Sequence, residues 1–358
     1  MSDLFAPAAL GPLTLSNHLV MAPMTRSRAV ENATPNALMA TYYAQRAGAG
    51  LIITEGTATS PDGLGYARIP GLYNAEQVAG WRLVTDAVHG QGGKIFVQFM
   101  HTGRIGHPLN LPAGAAVRGP SAVVAKGQMY TDAQGMQDHP TPVAYTTAEV
   151  KKTIEEFAQS ARLAIEAGLD GIELHGANGY LLEQFLNPAS NVRDDEYGGS
   201  VENRIRFVLE VAAACVAAIG GERVGIRLSP YGVFNDMAPY AETDETYRAL
   251  TKGLAAAGVQ YIHLVDHTSM GTPPVPDAIK ATVRELFPRT LILSGGYDRA
   301  RAEADLASGK ADLIAVGRPF MANPDLVERW RRNAPVNAVD LSTSYTPGPK
   351  GYTDYPTL

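Results

Sequence analysis

The chain has 358 residues, of which 45% are hydrophobic and 18% charged, and 36 acidic residues against 30 basic ones give a formal net charge of −6. This composition excludes wholesale disorder and fibrous repeats, and the lack of a basic block argues against nucleic acid or an anionic membrane surface as the main partner. One cysteine, Cys215, cannot form an internal disulfide, a four-thiolate iron–sulfur cluster or a structural cysteine zinc site. With no secretory signal and no apolar run of 18 residues, the sequence predicts a cytoplasmic protein without a membrane span.

Eight short apolar runs, rich in Val, Ile and Leu, predict buried parallel strands. They cover residues 18–21, 51–55, 94–99, 171–174, 224–228, 261–265, 291–293 and 313–316. Stretches of helical composition lie between them, for example at 75–89, 148–166, 201–218, 244–256 and 299–308. This alternation predicts an α/β protein of the (β/α)8 TIM-barrel class. The competing doubly wound sheet is disfavoured because no G-x-G-x-x-G follows a strand.

Three segments fall outside the alternation. Residues 4–16 precede the first strand and predict a hairpin that closes the bottom of the barrel. Residues 101–146, after the third strand, are rich in Gly and Pro and predict an insertion over the barrel mouth. The tail from Leu341 is polar, and we expect it to run over the surface or the mouth without forming an element. The prediction is therefore a single domain, residues 1–358, with these three additions.

The loops after the seventh and eighth strands are the first candidate ligand site, because such loops often hold a phosphate in barrels of this kind. They contain Gly295, Gly296, Gly317 and Arg318. Glycines let backbone N–H groups approach an anion, and an arginine adds a permanent charge with fork geometry. The alternative is ordinary turn glycines beside a surface arginine, and the position favours a phosphate-bearing ligand.

Arg227 lies inside the fifth predicted strand, where a guanidinium needs an anionic partner. That partner is either a carboxylate of the barrel, Glu55 or Glu173, or an anionic group of a ligand. The position of Arg227 in the sequence does not decide between the two.

His175, Asn178 and Tyr180 follow the fourth strand within six residues. The first two can offer neutral donors to one oxygen, and a tyrosine with a pKa near its ordinary value is protonated at neutral pH and can act as a general acid. The alternative is a structural turn with a satisfied histidine. A metal site is not predicted, because His263 and His267 lie on and after a strand with no third ligand nearby.

Residues 175–207, HGANGYLLEQFLNPASNVRDDEYGGSVENRIRF, resemble the signature of the Old Yellow Enzyme family of FMN-dependent ene-reductases. Further segments resemble the family in the expected order: APMTRSR at 22–28, QFMHTGRIGH at 98–107, SGGY at 294–297, VGRPF at 316–320 and GYTDYP at 351–356. The resemblance spans nearly the whole chain and is greatest to the bacterial N-ethylmaleimide reductase-like enzymes.

The resemblance implies that the phosphate-bearing ligand is FMN, bound tightly but not covalently. Its ring contacts are implied at Pro23, Met24, Thr25, Gly56, Gln98 and Arg227, and its phosphate contacts at Gly295, Gly296, Gly317 and Arg318. Thr25 would tune the reduction potential through flavin O4, and Arg227 would face N1 and O2, which carry negative charge in the reduced flavin.

The resemblance also implies the reaction. NADPH or NADH reduces the flavin, and an electron-poor alkene then enters the same pocket in a ping-pong sequence. His175 and Asn178 would bind the carbonyl or nitro oxygen, and Tyr180 would protonate the α-carbon. The implied substrates are α,β-unsaturated carbonyls, maleimides and nitroalkenes, with nitrate esters as a further class, and the implied assembly is a monomer or a homodimer.

Three further residues, Tyr66, Met100 and Tyr345, are expected to shape the substrate pocket, although plain packing is the alternative for each. Several relatives carry a bulky tryptophan where this chain has Met100. Since methionine is slimmer and more adaptable, we expect a pocket that admits larger substrates or a different binding pose.

Overall fold

The structure is a computed structural model that describes residues 3–358. Its strands, in chain order, are β1 (Ala8–Leu10), β2 (Leu13–Leu15), β3 (Leu19–Met21), β4 (Leu51–Thr57), β5 (Ile95–Phe99), β6 (Arg118–Gly119), β7 (Gln128–Thr131), β8 (Gly135–Asp138), β9 (Val143–Ala144), β10 (Gly171–Gly176), β11 (Val224–Leu228), β12 (Tyr261–Val265), β13 (Thr290–Ser294) and β14 (Leu313–Val316). Its α-helices are α1 (Ala37–Ala44), α2 (Ala75–His89), α3 (Thr147–Glu166), α4 (Leu181–Leu186), α5 (Val201–Ile219), α6 (Thr243–Ala257), α7 (Asp277–Leu286), α8 (Arg299–Ala307), α9 (Arg318–Ala322) and α10 (Leu326–Arg331).

The predicted eight-stranded barrel is confirmed. Strands β3, β4, β5 and β10 to β14 close on themselves with every neighbouring pair parallel. Each predicted apolar run lies on one of these strands. Strands β4, β10 and β13 are each two residues longer than predicted, and β4 continues past Glu55 to Thr57 through a register shift between Ile53 and Gly56.

Local sequence sets where the helices begin and end. Helix α3 starts with a capping box, in which the Thr146 hydroxyl accepts from the N–H of Glu149 and the Glu149 carboxylate accepts from the N–H of Thr146. The side-chain oxygen of Asn74 caps α2 by accepting from the N–H of Gln77. Helix α6 ends at Gly258, whose φ of 86° is a left-handed conformation that favours glycine. These caps hold the helices in register behind the strands.

The core has two layers. A small cluster inside the barrel joins Phe96, Tyr261 and Leu313 to Leu10 and Leu15 of the β1–β2 hairpin. The hairpin therefore plugs the bottom of the barrel, as the sequence predicts. A much larger cluster packs the outer faces of the strands against the helices. The open end of the barrel is thus the opposite end, where the strands end.

Residues 101–146 form two small sheets beside the mouth. Strands β6 and β9 pair in parallel, and β7 and β8 form an antiparallel hairpin. Met129, Tyr130 and Met136 of this hairpin line a cavity of about 340 Å³ together with Tyr180 and Tyr345. The segment therefore lies where the ligand would enter.

The C-terminal tail is more deeply integrated than a surface run. Tyr352 is fully buried and stacks on Tyr42 of α1, with ring centroids 4.0 Å apart and planes 9° apart. The buried guanidinium groups of Arg26 and Arg28 donate to tail carbonyls, for example from Arg26 Nη2 to the oxygen of Gly351 at 2.7 Å. The expectation of a tail without elements is also wrong, because residues 341–343 form a short 3₁₀ turn. The physical reason is that two buried cations need acceptors, and the tail carbonyls supply them.

Replacing Tyr352 by alanine should lower the free energy of unfolding by about 3–5 kcal/mol, because it removes a fully buried aromatic ring. Urea denaturation followed by circular dichroism measures this loss. The matched control is Tyr352→Phe, because the Tyr352 hydroxyl has no hydrogen-bond partner among residues 3–358 and its removal should cost little. An alanine variant with the wild-type midpoint would contradict the anchoring role of the tail.

None of the helices in residues 3–358 is both long and apolar enough to cross a lipid bilayer.

Candidate active site

A cavity of about 610 Å³ opens at the C-terminal ends of the barrel strands. Most of the site residues expected from the sequence line it: Pro23, Met24, Thr25, Gln98, Met100, His175, Asn178, Tyr180, Arg227, Gly295, Gly296, Gly317, Arg318 and Tyr345. Its size is within the range of sites for small ligands and cofactors. The barrel thus gathers residues from across the whole sequence at one place.

Two expected site residues do not line this cavity. Gly56 lies on β4 behind Met100, and a Cβ added there would come within 2.6 Å of the Met100 sulfur. Glycine at this position lets Met100 pack against the strand. Tyr66 lies behind Tyr180, with its hydroxyl oxygen 2.8 Å from that of Tyr180. Gly56 thus supports the wall from behind, whereas Tyr66 lines the adjoining cavity of about 340 Å³.

The cavity floor is a buried polar network centred on the carboxylate of Glu173. This carboxylate accepts from Gln98 Nε2 at 2.8 Å, from the Tyr261 hydroxyl at 3.1 Å and from His263 Nδ1 at 2.9 Å. Burial lowers the pKa of His263, so its ring is neutral at neutral pH. Gly225 makes room for the Tyr261 ring, because a Cβ there would lie 2.0 Å from the ring. The network fixes the Gln98 side chain under the ligand.

Arg227 reaches the cavity without an ion pair. It is 6% exposed, its Nε has no hydrogen-bond partner within the described chain, and no carboxylate in that range lies in salt-bridge distance of it. Glu55 accepts instead from the N–H groups of Arg26 and Ser27, which excludes the first of the two partners considered. Glu173 serves the floor network. A buried cation in this state calls for an anionic or electron-rich ligand group, which is what a flavin N1–C2=O edge provides.

The other end of the cavity fits a phosphate. Gly295 and Gly296 follow β13 with φ of 133° and 62°, and a Cβ on Gly295 would lie 2.2 Å from the carbonyl oxygen of Asp266. Only glycine fits this turn. The Arg318 guanidinium makes only long contacts with Ser269, at 3.3 and 3.5 Å, and so retains donors for a ligand. Gly317 lies beside it on the cavity wall.

His175 is a neutral donor. Burial, and then the positive charge of Arg227, hold the pKa of His175 well below its ordinary value. Its Nδ1 accepts from the N–H of Ala177 at 3.3 Å, so the proton of the neutral ring resides on Nε2. His175 and Arg227 are direct neighbours in the β10–β11 register.

Asn178 is held at three points. Its N–H donates to Ser229 Oγ at 2.9 Å and its carbonyl accepts from Asn235 Nδ2 at 2.6 Å. Its side-chain Oδ1 lies 2.7 Å from Nε2 of His267. The backbone has a φ of 60°, a left-handed conformation that asparagine tolerates better than most residues. With Oδ1 engaged, the amide protons on Nδ2 are left as donors.

Tyr180 is positioned as an acid. Burial raises the pKa of Tyr180 above its ordinary value, so the phenol stays protonated at neutral pH. Its ring meets that of His175 edge-on, with centroids 4.8 Å apart. The catalytic candidates His175, Asn178 and Tyr180 therefore share one wall of the cavity.

Part of the cavity wall is formed by residues that are not predicted from the sequence. Asp266, His267 and Ser269 of the loop after β12 line it, as does Ser344 of the tail. The position of this loop in the sequence could have predicted its place on the cavity wall, because it follows a barrel strand at the end where barrel sites form. His263 and His267 do not form a metal site, and residues 3–358 hold no group of three or more His, Cys, Asp or Glu placed to bind a metal ion.

Comparison with known proteins gives matches over almost the whole chain. A model of the NADH:flavin oxidoreductase / NADH oxidase family matches residues 3–337. 12-Oxophytodienoate reductase 7 of Oryza sativa subsp. japonica is 40% identical over 377 residues, covering 100% of this chain and 95% of its own. A probable flavin mononucleotide-dependent alkene reductase of Leishmania infantum is 41% identical over 355 residues, which cover 98% of this chain and 96% of the relative.

Solved structures of flavin enzymes are also similar to this chain. Morphinone reductase superposes with a TM-score of 0.96 at 42% identity, covering 100% of this chain and 96% of that one. The same enzyme has also been solved with tetrahydroNAD, at a TM-score of 0.94. The Old Yellow Enzyme homologue of Zymomonas mobilis gives a TM-score of 0.94 at 38% identity, covering 99% and 100%. Given these matches over the full barrel, the chain belongs to the Old Yellow Enzyme family of flavin-dependent oxidoreductases.

Proposed function

We propose that this enzyme uses FMN and NADPH or NADH to reduce the C=C bond of electron-poor alkenes: α,β-unsaturated carbonyls, maleimides and nitroalkenes, with nitrate esters as a further class. The observation that carries the proposal is the convergence of the His175 Nε2–H and the Asn178 amide beside the Tyr180 hydroxyl. Two hydrogen-bond donors and a general acid on one wall suit a substrate whose oxygen gains negative charge while its carbon gains a proton.

The residues that line the cavity are placed to bind FMN. Pro23, Met24, Thr25 and Gln98 line the ring end, and the unpaired Arg227 would face the N1–C2=O edge. Gly295, Gly296, Gly317 and Arg318 would hold the phosphate, and Gly56 would act through Met100. When bound, FMN supplies the hydride that it receives from the nicotinamide.

His175 and Asn178 stabilise the transition state. Their N–H groups point to where negative charge grows on the carbonyl or nitro oxygen as the β-carbon is reduced. Because the His175 ring is neutral and both side chains are fixed before the substrate enters, little reorganisation is needed during the reaction. These donors bind the transition state more strongly than the ground state.

Tyr180 gives its hydroxyl proton to the α-carbon. For that proton to point at the substrate, the Tyr180 oxygen must accept from its neighbour, and Tyr66 is placed to donate at 2.8 Å. The same bond stabilises the negative oxygen left on Tyr180 after the transfer. Tyr66 therefore positions the Tyr180 hydroxyl, and it also lines the adjoining cavity of about 340 Å³ together with Tyr180 and Tyr345.

We propose a ping-pong order, in which both substrates use the cavity of about 610 Å³ at the strand ends. NADPH or NADH and the alkene would occupy the same space in turn, and parallel lines in double-reciprocal plots of initial rate at varied concentrations of both are the expected result.

We further propose that residues 1–358 act as one FMN-binding domain with 101–146 as its insertion. The protein would work in the cytoplasm as a monomer or homodimer and belong to the N-ethylmaleimide reductase-like subgroup.

The deciding experiment follows the flavin by absorbance. The purified protein should carry FMN, lose its flavin absorbance under NADPH or NADH without oxygen, and regain it when 2-cyclohexenone, N-ethylmaleimide or a nitroalkene is added. Protein that binds FMN and is reduced, yet is re-oxidised by none of these, would be an electron carrier of another kind. Protein unable to bind FMN would overturn the proposal entirely.

Replacing Met100 by tryptophan tests the pocket shape. Met100 is 1% exposed on the cavity wall, and the larger indole must protrude into the cavity because Gly56 lies directly behind. We expect kcat/KM for bulky β-substituted enones to fall about tenfold or more relative to 2-cyclohexenone. Met100→Leu conserves volume and should keep the wild-type ratio. Equal ratios in all three enzymes would refute the expectation that Met100 widens the pocket.

A further inference from the structure

His267 lies in the loop after β12, on the cavity wall and outside the predicted site residues. Its ring meets the Phe234 ring edge-on, with centroids 4.5 Å apart. Burial, and then the positive charge of Arg227, lower the pKa of His267 to about 4, so its ring is neutral at neutral pH. A neutral imidazole carries its proton on one nitrogen only, and we assign that proton to Nε2 because Nε2 lies 2.7 Å from Asn178 Oδ1, an amide oxygen that can only accept.

The orientation of the Asn178 amide matters because its two ends have opposite chemistry. Backbone bonds to Ser229 and Asn235 fix where Asn178 sits but leave its amide free to present either the NH2 or the oxygen to the cavity. Only the NH2 can bind a substrate oxygen, since the amide oxygen would repel it. A donor fixed beside Oδ1 removes this ambiguity.

We infer that His267 is a positioning residue that orients the Asn178 amide so that its NH2 faces the substrate oxygen. The inference rests on the proposed role of Asn178. It deepens that role, because the donor pair then depends on a third side chain from the loop after β12, 89 residues away in sequence. It also gives that loop a part in the reaction.

The experiment uses the FMN-bound enzyme and compares His267→Phe, His267→Gln, Asn178→Ala and the double variant His267→Phe/Asn178→Ala. Phenylalanine keeps the ring against Phe234 but removes the donor, whereas glutamine restores an N–H donor as many bonds from Cβ as the Nε2 of histidine. The readouts are the Kd of phenol from the flavin spectrum and the kcat/KM for 2-cyclohexenone. Flavin absorbance per protein checks that each variant keeps its FMN.

We expect His267→Phe to weaken phenol binding and to lower kcat/KM about tenfold each, the effect of losing one orienting hydrogen bond. His267→Gln should recover most of both. In the Asn178→Ala background the His267→Phe change should have no further effect, because its target is gone.

Three results would overturn the inference: a His267→Phe enzyme with wild-type values, a glutamine variant as impaired as the phenylalanine one, or a penalty that persists without Asn178. Failure of the proposed function looks different. In that case Asn178→Ala alone leaves phenol binding and enone reduction unchanged, whatever the His267 variants do.

Discussion

Replacing His175 by alanine should lower the rate of enone reduction by about 10²–10³-fold, the cost of losing one preorganised donor to a developing oxyanion. Asn178→Ala should cost a similar factor. The double variant should lose less than the product of the two, because the donors act on one oxygen as a unit. Rapid mixing of the reduced enzyme with 2-cyclohexenone in the absence of oxygen measures this step directly.

Two controls separate this loss from a disturbed fold. Asn178→Asp keeps the side-chain shape but replaces the NH2 by an acceptor, so it should be as slow as Asn178→Ala. FMN content should stay at the wild-type level in each variant, since the proposed cofactor contacts lie on other residues. An Asn178→Asp enzyme that reduces enones at the wild-type rate would refute the donor pair.

Replacing Tyr180 by phenylalanine should slow alkene reduction by about 10²–10⁴-fold, the usual contribution of a positioned general acid. Reduction of the flavin by NADPH or NADH should stay near its wild-type rate, because that half-reaction needs no proton on carbon. Stopped-flow measurement of the two half-reactions gives both numbers. Re-oxidation by dioxygen is the matched control, as it also bypasses the α-carbon.

Tyr66→Phe extends the same test. It should slow alkene reduction by about tenfold, the loss of one hydrogen bond to the acid, and should add nothing in the Tyr180→Phe background. Because burial raises the pKa of Tyr180, its phenol remains protonated as the pH rises, and the rate should stay level between about pH 6 and pH 9. A Tyr180→Phe enzyme at full speed would show that the proton comes from elsewhere.

The barrel could be predicted from the sequence because its strands carry a local signal. Runs such as Val224–Leu228 are short, apolar and bounded by breakers, and eight of them leave few alternatives. The phosphate loops could be found for a related reason, since Gly295 and Gly296 follow a strand at the functional end of the barrel.

The contacts that complete the site could not be predicted in the same way. Tyr66 meets Tyr180 across 114 residues, and His267 meets Asn178 across 89. No periodicity or spacing in a single sequence encodes such pairs, which arise only when the barrel closes. The buried state of Tyr352 was likewise hidden, because a polar, proline-rich tail gives no sign of one aromatic ring that fills a gap beside α1.

The anchored tail has a consequence for how the enzyme is made. Arg26, near the start of the chain, binds the carbonyl of Ser344, which lines the cavity, and these two residues are 318 positions apart. Since chains emerge from the ribosome with the N-terminal part first, the cavity wall stays incomplete until almost the last residue has been synthesised. Chains cut short before Ser344 should therefore lack this part of the cavity wall and leave the Arg26 guanidinium without one of its carbonyl acceptors.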